Sequence, residues 1–516
     1  MTRLVRAASS ISAITLLSRV LGLIRDRLMA QTLGAGWVQG TFLLAWTLPN
    51  MMRRMLGEGA LSASLVPQYT RLRREDPSAA KRLLEDVAGA VVSVLAPFCL
   101  LVASACVLVP SEWFPAPEHG GPEAIRLLLA LNAILISYGL PICLAAVASG
   151  ALNTLGVYAL PASIPVALNV IWITALIAAK PLGFTIDTEI ATFAAWSLMF
   201  GGVVQLLIVF APLHHRRELG LPRLGLPKRG TPAFAVFASM GPAVLGMSLG
   251  QISGLIDQLL AYCVIAPGAN MYVYLANRLL LFPHALTALA VAIAVFPKLA
   301  AEAGASDRRQ MRETLDRAAS ATILITLPAA VGLILLADDT VAILFVGGRF
   351  SAEEIAPTAM TTIFLVAGLP FLGLSQLYAR AFYAVGDTST PARTTMQLVA
   401  VNVAISVILL TTTDLGPAAL TCATSLSSAG NAYLLSRRFR RHVAADGGLG
   451  RPWLRSLAAT GAMCAVVPLT RAAADDDSLL VRAVGNLALP ISIGVVTYLA
   501  AHVVMKSPEL KALRRR

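Results

Sequence analysis

Apolar runs of about twenty residues recur along nearly the whole chain, and this decides what it can fold into. A helix needs roughly 20 apolar residues to cross the hydrocarbon core of a bilayer. Fourteen such runs are expected, near 7–33, 39–66, 83–109, 124–150, 157–179, 189–212, 233–264, 270–297, 315–346, 355–385, 392–411, 416–436, 453–470 and 479–505. They are continuous rather than alternating, which excludes a lipid-facing β-barrel. The composition agrees: of 516 residues only 13% are charged, against about 25% in ordinary soluble domains. The expected fold is an all-α polytopic membrane protein with fourteen transmembrane helices.

The loops between these runs alternate in charge. Basic ones are "RLRREDPSAAKR" (71–82), "HHRRELGLPRLGLPKRG" (214–230), "DRRQMRETLDR" (307–317), "RRFRRHVAADGGLGRPWLR" (437–455) and the tail "KSPELKALRRR". Between them fall "PSEWFPAPEHGGPE" (110–123), "APGAN" (266–270), "TTDLG" (412–416) and "AADDDS" (473–478), all poor in Lys and Arg. Cytoplasmic loops carry the basic excess, so both termini are expected in the cytoplasm. The same rule accounts for the net charge of +13 without nucleic acid. The basic N-terminal start leads into a run that continues without a cleavage site, and it reads as the first span rather than a signal peptide. The six cysteines lie in apolar stretches without a C-x-x-C and read as small buried hydrophobes.

A weak repeat recurs at a spacing of about 230 residues. "GVYALPA" (156–162) and "GDTSTPA" (386–392) share G-x-x-x-x-P-A, "VP" (66–67) matches "FP" (296–297), and "GLIRDRLMA" (22–30) echoes "GLIDQLLA" (254–261). Six spans separate the copies, an even number, which implies parallel six-span halves. The expected organisation is a first lobe over 1–213, a proline-broken cytoplasmic connection over 214–232, a second lobe over 233–441, and a last pair of spans with a basic tail over 442–516.

Several charges fall inside the apolar runs. They are Arg19, Arg25, Asp26 and Arg27 in the first; Arg53, Arg54 and Glu58 in the second, after Pro49; then Asp257, Arg278 and Arg380. Each costs about 2.5–3.5 kcal/mol near a span's centre if it faces lipid. They are therefore expected to face a polar cavity or one another. Arg19 and Asp26, seven apart, share a helix face and are a candidate pair. Arg25 points about 100° away from Asp26. For Arg27 and Arg54 two readings stand, lining the cavity or snorkelling to a water interface. Arginine dominates, and its planar fork suits phosphate or carboxylate, so the cavity expects an anion. His284 reads as a hydrogen-bonded core histidine, and Asn169, Asn402 and Asn431 as interhelical hydrogen-bonders. Asp257 is either an ion ligand or a partner for an arginine. No metal-ligand motif and no cofactor signature is present.

"SRVLGLIRDRLMAQTLGAG" (18–36), "LPNMMRRMLGEGALSASLVPQ" (48–68) and "ANRLLLFP" (276–283) together resemble the MurJ (MviN) family of bacterial lipid II flippases, part of the multidrug/oligosaccharidyl-lipid/polysaccharide exporter superfamily. The resemblance runs nearly end to end. It implies two pseudo-symmetric lobes forming a V around a cationic cavity, two further C-terminal helices forming a groove for the lipid tail, and residence in the bacterial inner membrane. It also implies movement of undecaprenyl-diphosphate-linked disaccharide-pentapeptide from the cytoplasmic to the outer leaflet. The family's essential arginines fall on Arg19, Arg25, Arg53 and Arg278, with Arg54 adjacent. Expected partners are lipid II and membrane lipids, with cell-wall synthesis machinery a further one, and the chain is expected to be a monomer. Three positions depart from the family pattern: Gly40 and Leu281 stand where an acid is usual, and Thr47 where a lysine is common. Asp257 matches one ligand of a sodium site known in relatives, but the eleventh span has no aspartate, so sodium coupling is not expected. A flippase for another polyprenyl-linked glycan would use the same cavity logic. A membrane enzyme acting on lipid-linked sugars would need acid/base or metal groups that the sequence does not display.

Overall fold

The computed structural model describes residues 2–55, 61–114, 120–286, 288–304, 309–443, 450–470 and 482–507. The helices in chain order are α1 (Thr2–Leu33), α2 (Trp37–Met52), α3 (Leu61–Glu75), α4 (Pro77–Leu108), α5 (Gly121–Leu135), α6 (Gly139–Thr154), α7 (Ala159–Ala179), α8 (Asp187–His215) and α9 (Pro232–Leu260). There follow α10 (Ala269–Leu286), α11 (Ala288–Ala303), α12 (Arg309–Leu335), α13 (Ala337–Phe345), α14 (Ile355–Ala367), α15 (Leu369–Ala384), α16 (Ser389–Thr412), α17 (Pro417–Val443), α18 (Gly450–Val466) and α19 (Leu489–Val504). Among the described residues, nine helical segments are long and apolar enough to cross a membrane. The expected second span covers α2 and α3 and the eighth covers α10 and α11; α2 and α10 carry the internal prolines Pro49 and Pro283. Such prolines remove a helix hydrogen bond and bend the chain.

The residues form two compact units, 1–271 and 272–516. In the first, α1 packs along α7, α7 on α8, α6 on α8, and α3 and α4 on α6. Its core holds Trp172, Tyr138, Phe42 and Tyr69, all fully buried. Also in this unit, α9 packs against α2, α3 and α4. In the second unit α16 packs on α17, α15 on α17, and α11 and α12 on α15. These are the counterparts of pairings in the first unit, so the weak sequence repeat has a structural echo. The G-x-x-x-x-P-A copies make the point locally. Gly156 (φ 77°) and Gly386 (φ 81°) both occupy the left-handed region that favours glycine. Each ends a helix with the same bonds: Gly156 N–H to Asn153 and Val157 N–H to Leu152, then Gly386 N–H to Tyr383 and Asp387 N–H to Phe382. The last two long helices dock on α12, where Tyr498 donates to the Leu324 carbonyl at 2.8 Å and Leu324, Ala459 and Tyr498 cluster.

The stretch between α8 and α9 runs without helix over 217–231 and lies against α3 and α4 of the same unit. Glu218 accepts from Arg73 Nη2 at 2.9 Å and from Tyr69 Oη at 3.3 Å. Desolvation, followed by the Glu218 charge, pushes the Tyr69 phenol above its ordinary range. Arg223 donates from its backbone to the Glu85 carbonyl at 3.0 Å and pairs with the Glu85 carboxylate at 2.9 Å. Gly225 N–H donates to Ser93 Oγ at 2.9 Å. Gly89 permits this approach, because a Cβ there would run into the Arg223 carbonyl.

The cysteines are all free; Cys99 and Cys143 are buried as expected, whereas Cys263 is exposed. Cys263 lies in a π-helical turn after α9 (261–265).

Candidate functional site: the arginines within the spans

Arg25 and Asp26 sit on α1 where it packs along α7, and both are buried, at 7% and 1% exposure. Arg25 donates from Nε (3.0 Å) and Nη2 (2.6 Å) to a single oxygen of Asp26, Oδ1. Its Nη1 donates to Asn169 Oδ1 on α7 at 2.9 Å. Its Cζ lies 4.5 Å from the centroid of the Trp172 ring. A guanidinium in this setting gains a charge-assisted hydrogen bond, a neutral acceptor and an aromatic face. Trp172 is itself held by Phe42 (5.8 Å between centroids) and edge-on by Trp46 (5.5 Å), both from α2.

This corrects the pairing expected from helical spacing. Asp26 is engaged by its neighbour Arg25, whereas Arg19 is exposed. The Cβ directions do diverge by about 100°, but an arginine side chain is long enough to fold back across that angle. Asn169, by contrast, is the interhelical bonder expected: its Nδ2 also donates to the Ser18 carbonyl of α1 at 3.0 Å.

Arg53 follows α2 as its C-cap residue, and its Nε (3.3 Å) and Nη2 (3.0 Å) donate to Asn50 Oδ1. Arg27, Arg53 and Arg54 are half-buried. Glu58 lies outside the described residues. Asp257 is half-buried on α9. In the second unit, half-buried Arg278 on α10 donates to Tyr274 Oη at 2.7 Å, with its Cζ 4.7 Å from that ring's centroid. Arg380 is half-buried on α15. His284 is 9% exposed and its Nε2 meets Gln376 Nε2 at 3.1 Å, which makes it the hydrogen-bonded core histidine expected. Asn402 Nδ2 reaches Thr424 Oγ1 at 3.3 Å and so links α16 to α17.

The structure thus brings Arg25 and Asp26 together with Asn169, and adds two groups that spacing arguments missed, Trp172 and Tyr274. Trp172 follows Asn169 by three residues, so the two share a face of α7; the N-x-x-W spacing was the available signal. Tyr274 precedes Arg278 by four and could have been found the same way.

Gly40, one of the departures from the family pattern, has a steric reason to lack a side chain. A Cβ there would collide with the Gly268 backbone nitrogen and lie 2.7 Å from Asn270 Oδ1. Asn270 Nδ2 donates to the Gly40 carbonyl at 2.8 Å, and the next residue, Thr41, shares a 2.8 Å hydrogen bond with Tyr262 Oη.

These features define a multi-pass helical membrane protein that keeps a set of arginines inside apolar helices, engaged by neutral acceptors, aromatic faces and a carboxylate. Comparison with known proteins narrows the class. The model of the lipid II flippase MurJ family matches residues 29–476. The lipid II flippase MurJ of Burkholderia cenocepacia is 30% identical over 471 residues, covering 88% of this chain and 86% of the relative. The probable lipid II flippase MurJ of Rhizobium tropici is 31% identical, covering 79% and 75%. Among solved structures, a lipid II flippase MurJ in an inward closed conformation superposes with a TM-score of 0.78 at 22% identity, covering 96% and 98%. An inward-facing multidrug transporter of the MATE family gives 0.63 at 16% identity, covering 85% and 98%. The chain belongs to the lipid II flippase MurJ family.

Proposed function

We propose that this protein moves lipid II, undecaprenyl diphosphate bearing a disaccharide-pentapeptide, from the cytoplasmic to the outer leaflet of the bacterial inner membrane by alternating access. Family membership supports the substrate. The observation that carries the mechanism is the excess of arginine within apolar helices, Arg19, Arg25, Arg53, Arg54 and Arg278 against few acids. In this reading these five bind the diphosphate and nearby sugar-peptide groups. Arg25 exchanges its Asp26 oxygen for a cargo oxygen, and Arg53 exchanges Asn50 in the same way. Glu58 and Asp257 act as charge partners or ion ligands.

Closing a cationic site around nothing would force like charges together. An anionic cargo neutralises them, so it binds the closed form more tightly than the empty protein tolerates it, and only such differential affinity shifts a conformational equilibrium. A membrane potential acting on the same charges supplies about 2.3 kcal/mol per charge per 100 mV; transport that stays constant as the potential across a vesicle is varied rules this contribution out.

The lobes are proposed as 1–213 and 233–441, joined by the cytoplasmic connection 214–232, with 442–516 as the accessory pair and tail. The alternation of basic and neutral loops supports cytoplasmic termini. A monomer in contact with membrane lipids suffices for transport, and cell-wall synthesis enzymes are natural partners because they consume the product. The test is complementation of a bacterium depleted of its lipid II flippase, together with transfer of labelled lipid II across reconstituted vesicles. Growth and transfer support the reading. Absence of both, with transfer of a different polyprenyl-linked glycan instead, replaces it.

A further inference from the structure

Both ends of the Asn169 amide are engaged. Its Nδ2 donates to the Ser18 carbonyl at 3.0 Å and its Oδ1 accepts from Arg25 Nη1 at 2.9 Å. These bonds fix its orientation: turned over, the amide would set its NH2 against a guanidinium and its oxygen against a carbonyl. Trp172, three residues on, is fully buried and pinned by Phe42 and Trp46 of α2. The guanidinium of Arg25 is therefore held from α7 by one neutral oxygen and one aromatic face, and from α1 by one carboxylate oxygen.

These contacts differ in what an incoming anion does to them. A phosphate oxygen competes with the Asp26 carboxylate for the same N–H groups, because both are anionic acceptors. It does not compete with the Asn169 oxygen on Nη1 or with the Trp172 face, which favour a guanidinium whatever anion it holds. In apolar surroundings a guanidinium stripped of all partners at once is too costly to populate. A group that is to change one anionic partner for another needs contacts that stay in place during the change.

We propose that Asn169 and Trp172 are positioning residues for phosphate recognition: they hold the guanidinium of Arg25 in place while Asp26 gives way to an oxygen of a phosphate-bearing lipid. The inference rests on the reading of Arg25 as a cargo-binding group. Coupling of Trp172 to Phe42 and Trp46 adds a second consequence. The aim of Arg25 is tied to the position of α2, the helix that leads into Arg53.

A purely structural clamp between α1 and α7 would weaken binding equally whether or not Arg25 is present; a positioning role weakens it only where Arg25 is present. The experiment measures lipid II affinity of the purified full-length protein, with thermal unfolding of the same samples. Asn169→Ala and Trp172→Leu are compared in the wild-type background and in an Arg25→Ala/Asp26→Ala background that lacks the charge pair. In the wild-type background each is expected to weaken binding about tenfold, the factor that about 1.4 kcal/mol represents. In the charge-free background neither is expected to weaken it further. Trp172→Phe keeps an aromatic face and is expected to retain affinity within about threefold. Asn169→Leu, which keeps the volume but offers no oxygen acceptor, stands in if Asn169→Ala does not fold. Equal losses in both backgrounds, or wild-type affinity in Asn169→Ala, overturn the proposal while leaving the flippase reading intact. No binding of lipid II by the wild-type protein overturns that reading, and this inference with it.

Discussion

Replacing Arg25 by alanine tests how the first unit accommodates charge. The substitution removes both guanidinium donors that reach Asp26 Oδ1, the donor to Asn169 Oδ1, and the cation over Trp172. Asp26 is 1% exposed, so its carboxylate loses the two Arg25 donors while it stays buried. Breaking a buried ion pair from one side costs about 3–5 kcal/mol. The stacking contribution, about 0.5–2 kcal/mol, overlaps with that figure rather than adding to it, because the groups touch one another. Removing both charges in Arg25→Ala/Asp26→Ala takes away the buried carboxylate as well as the guanidinium, and most of the stability is expected to return. Transport is not expected to return, because the guanidinium proposed to bind the cargo is gone. The assay pairs thermal unfolding in detergent with complementation at matched membrane abundance. A single variant as stable as wild type, or a double variant no more stable than the single one, refutes the argument that this pair supports the α1–α7 seam.

Other outcomes follow from close packing and from capping. Gly40→Ala puts a methyl against the Gly268 backbone and is expected to destabilise by about 1–3 kcal/mol, as overpacking does, while Gly36→Ala, with nothing within 4 Å, is near neutral; thermal unfolding of the two decides. Gly89→Ala drives a methyl into the Arg223 carbonyl and should lift the 217–231 stretch, seen as faster tryptic cleavage at Arg217, Arg223 or Lys228 with the rest intact. Asp76 caps α4 by accepting from Ser78 Oγ and N and Ala79 N, and these bonds, the Ser78 side chain foremost, hold its carboxyl below the usual range. Its folded value is thus depressed, so the cap contributes fully above the unfolded value of about 3.9 and is lost as pH falls through the lower folded one. Asp76→Asn should flatten that acid limb of the stability curve and leave neutral pH little changed.

Much of this was legible in the chain. Apolar run length located the helices, because a bilayer leaves no other way to satisfy the backbone. The repeat at Gly156 and Gly386 was legible because a left-handed helix end demands a specific residue at a specific offset. Side-chain partnership was harder. An amide within an apolar run was correctly read as an interhelical bond at Asn169, yet helical spacing offered Arg19 as the partner of Asp26, because a face argument ignores how far an arginine can bend. The Gly40–Gly268 approach joins residues over two hundred positions apart, and no local pattern encodes it. The charge balance of the spans spoke for an anion before any packing was known. It could not say that the guanidinium of Arg25 already lies over the face of Trp172.

The central claim is that guanidinium groups within the spans hold the diphosphate of the cargo. The most direct measurement is the affinity of purified protein for lipid II, comparing wild type with Arg53→Ala and Arg278→Ala at matched thermal stability. Hydrogen bonds to charged groups are worth about 1.5–3 kcal/mol, so each variant is predicted to bind at least tenfold more weakly. Wild-type affinity in both would contradict the account.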